Sequence, residues 1–241
     1  GKRNQPADTG WTDESRSVKY AGPPFHHPTN VGLSPNGEFY VSDGYRNCRV
    51  HKYAADGTLL FSWGEPGEGE GQFNLVHGVW EHKGKVYVCD RQNNRIQIFS
   101  PQGEYLDKWD GFLQPCKIYI DKDDVMYIAE LGARVSILDL DGNVLGRWGS
   151  ERSHDAGVFW APHGIAVDSQ GDLYVAEVLE APACRSSPVN ARSAAYRHAV
   201  SRARPHPSPL PPRERGYGAG YLWPGGQVSM TCRRMPNSPR W

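Results

Sequence analysis

Four segments of this chain repeat one another, and a chain repeating at this period buries its apolar faces by stacking like units side by side. The segments start at His27-Pro28-Thr29, Leu75-Val76-His77, Gln114-Pro115-Cys116 and Ala161-Pro162-His163. A second apolar run follows each start: Phe39-Tyr40-Val41-Ser42-Asp43, Val86-Tyr87-Val88-Cys89-Asp90, Met126-Tyr127-Ile128-Ala129-Glu130 and Leu173-Tyr174-Val175-Ala176-Glu177. The tyrosines Tyr40, Tyr87, Tyr127 and Tyr174 step by 47, 40 and 47 residues. Three copies add a third run, starting at Cys48-Arg49-Val50, Asn94-Arg95-Ile96 and Arg134-Val135-Ser136, and a fourth ending in Trp63, Trp109 or Trp148. Asn36-Gly37, Asp56-Gly57, Gln102-Gly103, Asp141-Gly142 and Gln170-Gly171 lie between runs and supply the positive φ of tight hairpins. Four short antiparallel strands per 40 to 47 residues describe an all-β chain built from β-propeller blades.

Charge divides the chain where the repeat ends. Residues 1–178 carry 17 basic and 25 acidic groups, a net of −8, whereas 179–241 carry ten Arg, no Lys and only Glu180 and Glu214. An acidic body argues against nucleic acid as a partner, because phosphate binding needs a clustered positive surface. No apolar run approaches the roughly 20 residues of a spanning helix, so no membrane partner is expected and the chain reads as soluble. Five cysteines without metal-finger spacing imply no disulfide framework.

The repeat phase resembles that of the NHL-repeat family over about residues 28–178. The wording is nearer still to the peptidyl-α-hydroxyglycine α-amidating lyases within it: Pro28-Thr29-Asn30-Val31, then Tyr40-Val41-Ser42-Asp43-Gly44-Tyr45-Arg46-Asn47-Cys48-Arg49-Val50, then Gly71-Gln72-Phe73-Asn74-Leu75-Val76-His77. The resemblance implies a six-bladed parent, of which about three and a half blades are readable. Residues 1–27 then resemble a polar connector from upstream blades, and 28–178 form the blades. The expectation for 179–241 is an Arg/Pro-rich tail outside the family, frameshifted or disordered, because ten Arg and ten Pro in 63 residues are poor strand material.

In a propeller the first strand of each blade lines the central channel. The column facing it holds Thr29, His77, Cys116 and His163. Two imidazoles two blades apart in a ring of six would form two corners of a trigonal set, an arrangement that suits zinc with an open fourth position. The resemblance points the same way, since the lyases hold zinc by three histidines and their Pro-His pattern matches His77 and His163. It also implies that Arg49 engages the substrate carboxylate, and that the carbonyls of Val31 and Val79 bind calcium. Against the role of Arg49 stands a structural alternative. Arg95 and Arg134 occupy similar third-strand starts, so such an arginine can simply pair with Asp43, Asp90 or Glu130 of its own blade. Tyr45 is available without an assigned role, and Cys116 reads as a softer ligand or as a small channel residue.

Two kinds of function stay open at this point. The resemblance implies zinc-dependent cleavage of a peptide-like substrate to an amidated peptide and glyoxylate, with the shortened chain inactive by itself. A propeller without catalysis would instead present its rim to a protein partner.

Overall fold

The computed structural model describes residues 5–149, 151–153, 158–169, 171–180, 221–223 and 226–235. Short strand-forming runs, buried almost throughout in the middle strands and broken by Gly-containing turns, produce three consecutive four-stranded antiparallel sheets, each a meander in sequence order. The first comprises β1 (Pro28–Leu33), β2 (Phe39–Asp43), β3 (Arg49–Tyr53) and β4 (Leu59–Trp63). A short parallel pair, β5 (Glu65–Pro66) and β6 (Gln72–Phe73), leads to β7 (Val76–His82), β8 (Lys85–Asp90), β9 (Arg95–Phe99) and β10 (Tyr105–Trp109). The third sheet is β11 (Pro115–Ile120), β12 (Met126–Glu130), β13 (Arg134–Leu138) and β14 (Val144–Trp148). A fourth starts with β15 (Pro162–Val167) and β16 (Leu173–Glu180).

The repeat phase holds residue by residue. Val31, Val79, Ile118 and Ile165 pair with Val41, Val88, Ile128 and Val175, the same register in every sheet. The first strands β1, β7, β11 and β15 pack against one another in succession. The apolar core lies between consecutive sheets: Tyr40, Val50 and Val79 share one cluster, Tyr87, Ile98 and Ile118 a second, and Tyr127, Val135 and Ile165 a third. Trp63 packs across such a seam on Phe99, Trp148 lies against Phe159, and Trp109 rests on Tyr87 of its own sheet and on Gly142 across the next seam. Burying these faces between sheets is the main stabilising term, at roughly 25 cal/mol per Å² of apolar surface removed from water.

A buried carboxylate ends the second strand of each sheet and fixes the start of the first. Asp43 accepts the His26 N–H at 2.8 Å, Asp90 that of Asn74 at 2.8 Å, Glu130 that of Leu113 at 2.5 Å, and Glu177 that of Trp160 at 2.6 Å. All four acids are fully buried. Arg95 and Arg134 neutralise Asp90 and Glu130 at 2.7 Å, which is the structural role weighed above. Asp43 is served by Asn47 at 2.8 Å instead. Residues 5–27 dock on the first sheet, with Gly22 donating to Asn47 and Thr9 to the Arg46 carbonyl.

The expectation of a tail that supplies no strands is corrected. β17 (Tyr221–Trp223) and β18 (Gly226–Met235) complete the fourth sheet, in the order β15-β16-β18-β17. The last strand in sequence takes the third place, whereas in the other sheets the third strand precedes the fourth. The physical reason is that β16 without a neighbour would leave a row of N–H and C=O groups unpaired, and Val228-Ser229-Met230-Thr231-Cys232 is a strand-forming run able to pair with them. Residues 181–220, where the disorder expectation mainly falls, lie outside the described residues.

Candidate metal centre

The inner strands share one irregularity that builds the site. Each carries a bulge near its start: between Pro28 and Asn30, Val76 and Val79, Pro115 and Lys117, and Pro162 and Gly164. The residues left without a cross-strand partner include Thr29, His77, Cys116 and His163, the column singled out from the sequence. A bulge inserts an unpaired residue, bends the strand and re-aims its side chain. A left-handed residue precedes three of the bulges, at His27 (φ 67), Leu75 (φ 68) and Gln114 (φ 56). The buried acids described above hold these segments in place.

Three members of the column converge. One ligand atom each from His77, Cys116 and His163 lie within 4.8 Å of one another, and the two imidazoles meet edge to face with centroids 4.5 Å apart. This is the one group of three or more His, Cys, Asp or Glu side chains able to hold a metal ion among the described residues. The fourth member, Thr29, does structural work instead. Its hydroxyl bonds to Ser42 Oγ at 2.8 Å and to the Val76 carbonyl at 3.0 Å, tying the first sheet to the second.

The protonation states of the two imidazoles suit ligation. The Cys116 carbonyl accepts from His77 Nδ1 at 2.9 Å, which puts the proton on Nδ1 and the lone pair on Nε2, where a metal would displace the Tyr45 hydroxyl. Tyr45 Oη lies 3.1 Å from that Nε2 and donates to it. Burial holds His77 well below the ordinary imidazole range, and the charges of His163 and Arg91 push it the same way. His163 is pushed down to about 4, by burial first and then by Arg91 and Lys117. Both rings are therefore neutral at neutral pH, the form that binds metals. The Cys116 thiol is lifted to about 11 by burial, with Arg91 opposing the rise. Cys48 and Cys89 are also buried free thiols.

Arg49 is not brought into this cluster. Its guanidinium faces Glu65 at 3.4 Å and the Ser62 carbonyl at 3.5 Å, so it neither joins His77 nor repeats the pairing made by Arg95 and Arg134. Val31 and Val79 sit on neighbouring first strands, where the Val79 carbonyl closely overlies Gly32, 2.7 Å from where a Cβ would stand. No His, Cys, Asp or Glu cluster accompanies these carbonyls among the described residues. Tyr45 and Arg91 were not placed from the sequence, although Tyr45 lies inside the strongest motif. Arg91 follows Asp90 at the end of β8, and its only sequence signal was its place in a turn.

Comparison with known proteins supports the same fold class. The NHL repeat family matches residues 159–179. Mouse NHL repeat-containing protein 3 is 30% identical over 183 residues, covering 71% of this chain and 53% of that protein. Peptidyl-alpha-hydroxyglycine alpha-amidating lyase 1 of Drosophila melanogaster is 26% identical over 189 residues, covering 66% of this chain and 34% of the lyase. Among solved structures, a virginiamycin B lyase from Staphylococcus aureus aligns over 62% of this chain and 48% of its own, at 15% identity and a TM-score of 0.49. The chain thus spans about half the length, or less, of the curated relatives it matches. Blade-like sheets in one repeating register, bulged first strands and the NHL match on the fourth sheet show NHL-type repeats of the β-propeller class in this chain, which is similar in sequence to NHL repeat-containing protein 3 and to the amidating lyases.

Proposed function

We propose that these sheets belong to a six-bladed lyase that cleaves peptides ending in α-hydroxyglycine, and that His77, Cys116 and His163 hold its zinc. The convergence of those three side chains carries the reading. Two imidazole nitrogens and one sulfur fit zinc, which accepts mixed N and S donors in a tetrahedral set and keeps one position open in catalytic sites. The bound ion would polarise the substrate hydroxyl. The rest falls to the chain. Breaking the C–N bond requires the hydroxyl proton to leave and the amide nitrogen to gain one, giving an amidated peptide and glyoxylate. Tyr45 Oη, 3.1 Å from His77 Nε2, is a proton-carrying group beside the centre. Burial raises its phenol above the usual range and Arg91 opposes the rise, so it stands protonated at neutral pH and can donate. His77 keeps its orientation through the Cys116 carbonyl.

The second reading, a protein-binding platform without catalysis, is favoured by the similarity to NHL repeat-containing protein 3. Zinc analysis of the purified protein, with glyoxylate release from an α-hydroxyglycine peptide measured alongside, separates the two. About one zinc per chain, lost in both His77→Ala and His163→Ala, is expected. Unchanged metal content in both variants would leave the platform reading standing.

A further inference from the structure

Each seam between consecutive sheets is filled by the same residue columns. Phe73, Phe112 and Phe159 each stand one residue before the backbone N–H that a buried acid holds, and all three are buried between sheets. Val79, Ile118 and Ile165, on the first strands, are 1%, 1% and 7% exposed, because the tyrosine-bearing face of the preceding sheet covers them. In the first sheet the same columns hold Phe25, just before the His26 N–H that Asp43 accepts, and Val31, paired with Val41. The burial does not follow them there. Val31 is 52% exposed, and Leu33, at the position of the buried Ile120, is 74% exposed. Phe25 touches His51 and Tyr53 yet stays half-exposed, as does Phe39, stacked on Tyr53 at 5.0 Å. Residues 5–27, which dock on this sheet, leave these side chains open.

The far end of the array offers the other half of such a seam. Tyr40, Tyr87 and Tyr127 face the next sheet and are buried, whereas Tyr174, at the same position of the fourth sheet, is half-exposed. Its hydroxyl bonds to Asp168 at 2.9 Å as that of Tyr127 bonds to Asp121 at 3.1 Å, so the ring is held as it is in a seam. We propose that the face bearing Phe25, Val31 and Leu33 docks a second copy of this chain, whose fourth sheet packs on it head to tail. The contact continues an interface that the chain already makes three times within itself, and apolar surface removed from water drives it. It joins unlike faces, so a pair closes only if eight sheets fit one ring. The imidazoles of His77 and His163, two sheets apart, meet with centroids 4.5 Å apart, and a ring that tight does not take eight. Copies therefore add in an open series. The inference stands apart from the lyase reading, in which further sheets of one ring cover the same two faces.

Light scattering on the eluate of size-exclusion chromatography gives the mass of the full chain at loadings from about 1 to 100 μM, in EDTA and without substrate. The mass should rise with concentration past that of a dimer and fall back on dilution. Leu33→Asp and Val31→Asp each put a charge into the seam and should move the rise to concentrations about tenfold higher or more. Leu106→Asp, at a half-exposed position on the outer strand β10, should leave the rise where it is. Circular dichroism confirms folding, and Leu33→Asp decides if Val31→Asp fails to fold, because Leu33 is the more exposed of the two. A monomer throughout, a mass that stops at the dimer, or a rise that dilution does not reverse overturns the proposal. So does association that Leu106→Asp weakens as much as Leu33→Asp. With no metal or substrate present, any of these results leaves the lyase reading as it was, and a failure to bind zinc leaves the docking face as it was.

Discussion

Protonating His163 should unfold this protein by a predictable amount. In the folded chain the ring is pushed from an ordinary 6.5 down to about 4, by burial and then by the charges of Arg91 and Lys117. Between those two values the unfolded chain binds a proton that the folded chain refuses. Stability therefore falls as pH drops from about 6.5 and levels off below about 4; above 6.5 the contribution is fully present. At 1.36 kcal/mol per pH unit the interval is worth about 3 kcal/mol. The assay is urea unfolding of the metal-free protein in EDTA, followed by tryptophan fluorescence at pH 7.5, 6, 5 and 4. Other groups titrate in the same window, so the comparison is with His163→Gln, which loses this proton site alone. The wild-type protein should lose about 3 kcal/mol more than the variant between pH 7.5 and 4. Parallel curves for the two proteins would refute the burial and charge argument for this ring.

The two classes of ion pair should separate in the same unfolding assay at neutral pH. Asp90→Ala strips partners from the Asn74 N–H, Asn93 and the buried Arg95, and should cost about 3 kcal/mol or more, whereas Glu65→Gln, which loosens the exposed pair with Arg49 and a long, exposed contact with the Ala21 N–H, should cost less than about 1 kcal/mol; equal losses would contradict the burial assignments. Two glycines should behave just as differently: Gly44→Ala drives a methyl group into the Val76 carbonyl of the neighbouring first strand and should lower stability by about 2 kcal/mol or more, while Gly57→Ala, with φ +85 and open space around it, should cost about 1 kcal/mol. A Gly44→Ala protein as stable as the wild type would mean that the first two sheets are not packed as described.

Local pattern made much of this protein legible in its sequence. Strand alternation and Asn-Gly or Asp-Gly turns depend on near neighbours, so the phase in which Val31, Val79, Ile118 and Ile165 are equivalent could be read without coordinates. The same phase put Thr29, His77, Cys116 and His163 in one column. It could not tell which of them meet. Thr29 spends its hydroxyl on holding two sheets together, and Cys116, weighed as a small channel residue, brings its sulfur within 4.8 Å of both imidazoles.

The sequence by itself determined the blades, their register and the identity of the inner column, because each follows from periodicity within about 45 residues. The tertiary structure decided the bulges that turn that column inward and the pairing of Arg49 with Glu65. It also decided that β18 would enter the fourth sheet ahead of β17. A bulge is a mismatch between two strands, an ion pair a choice among several acids, and a strand order a matter of which edge is left open. Each depends on residues far apart in the chain, and no local run of sequence carries that information.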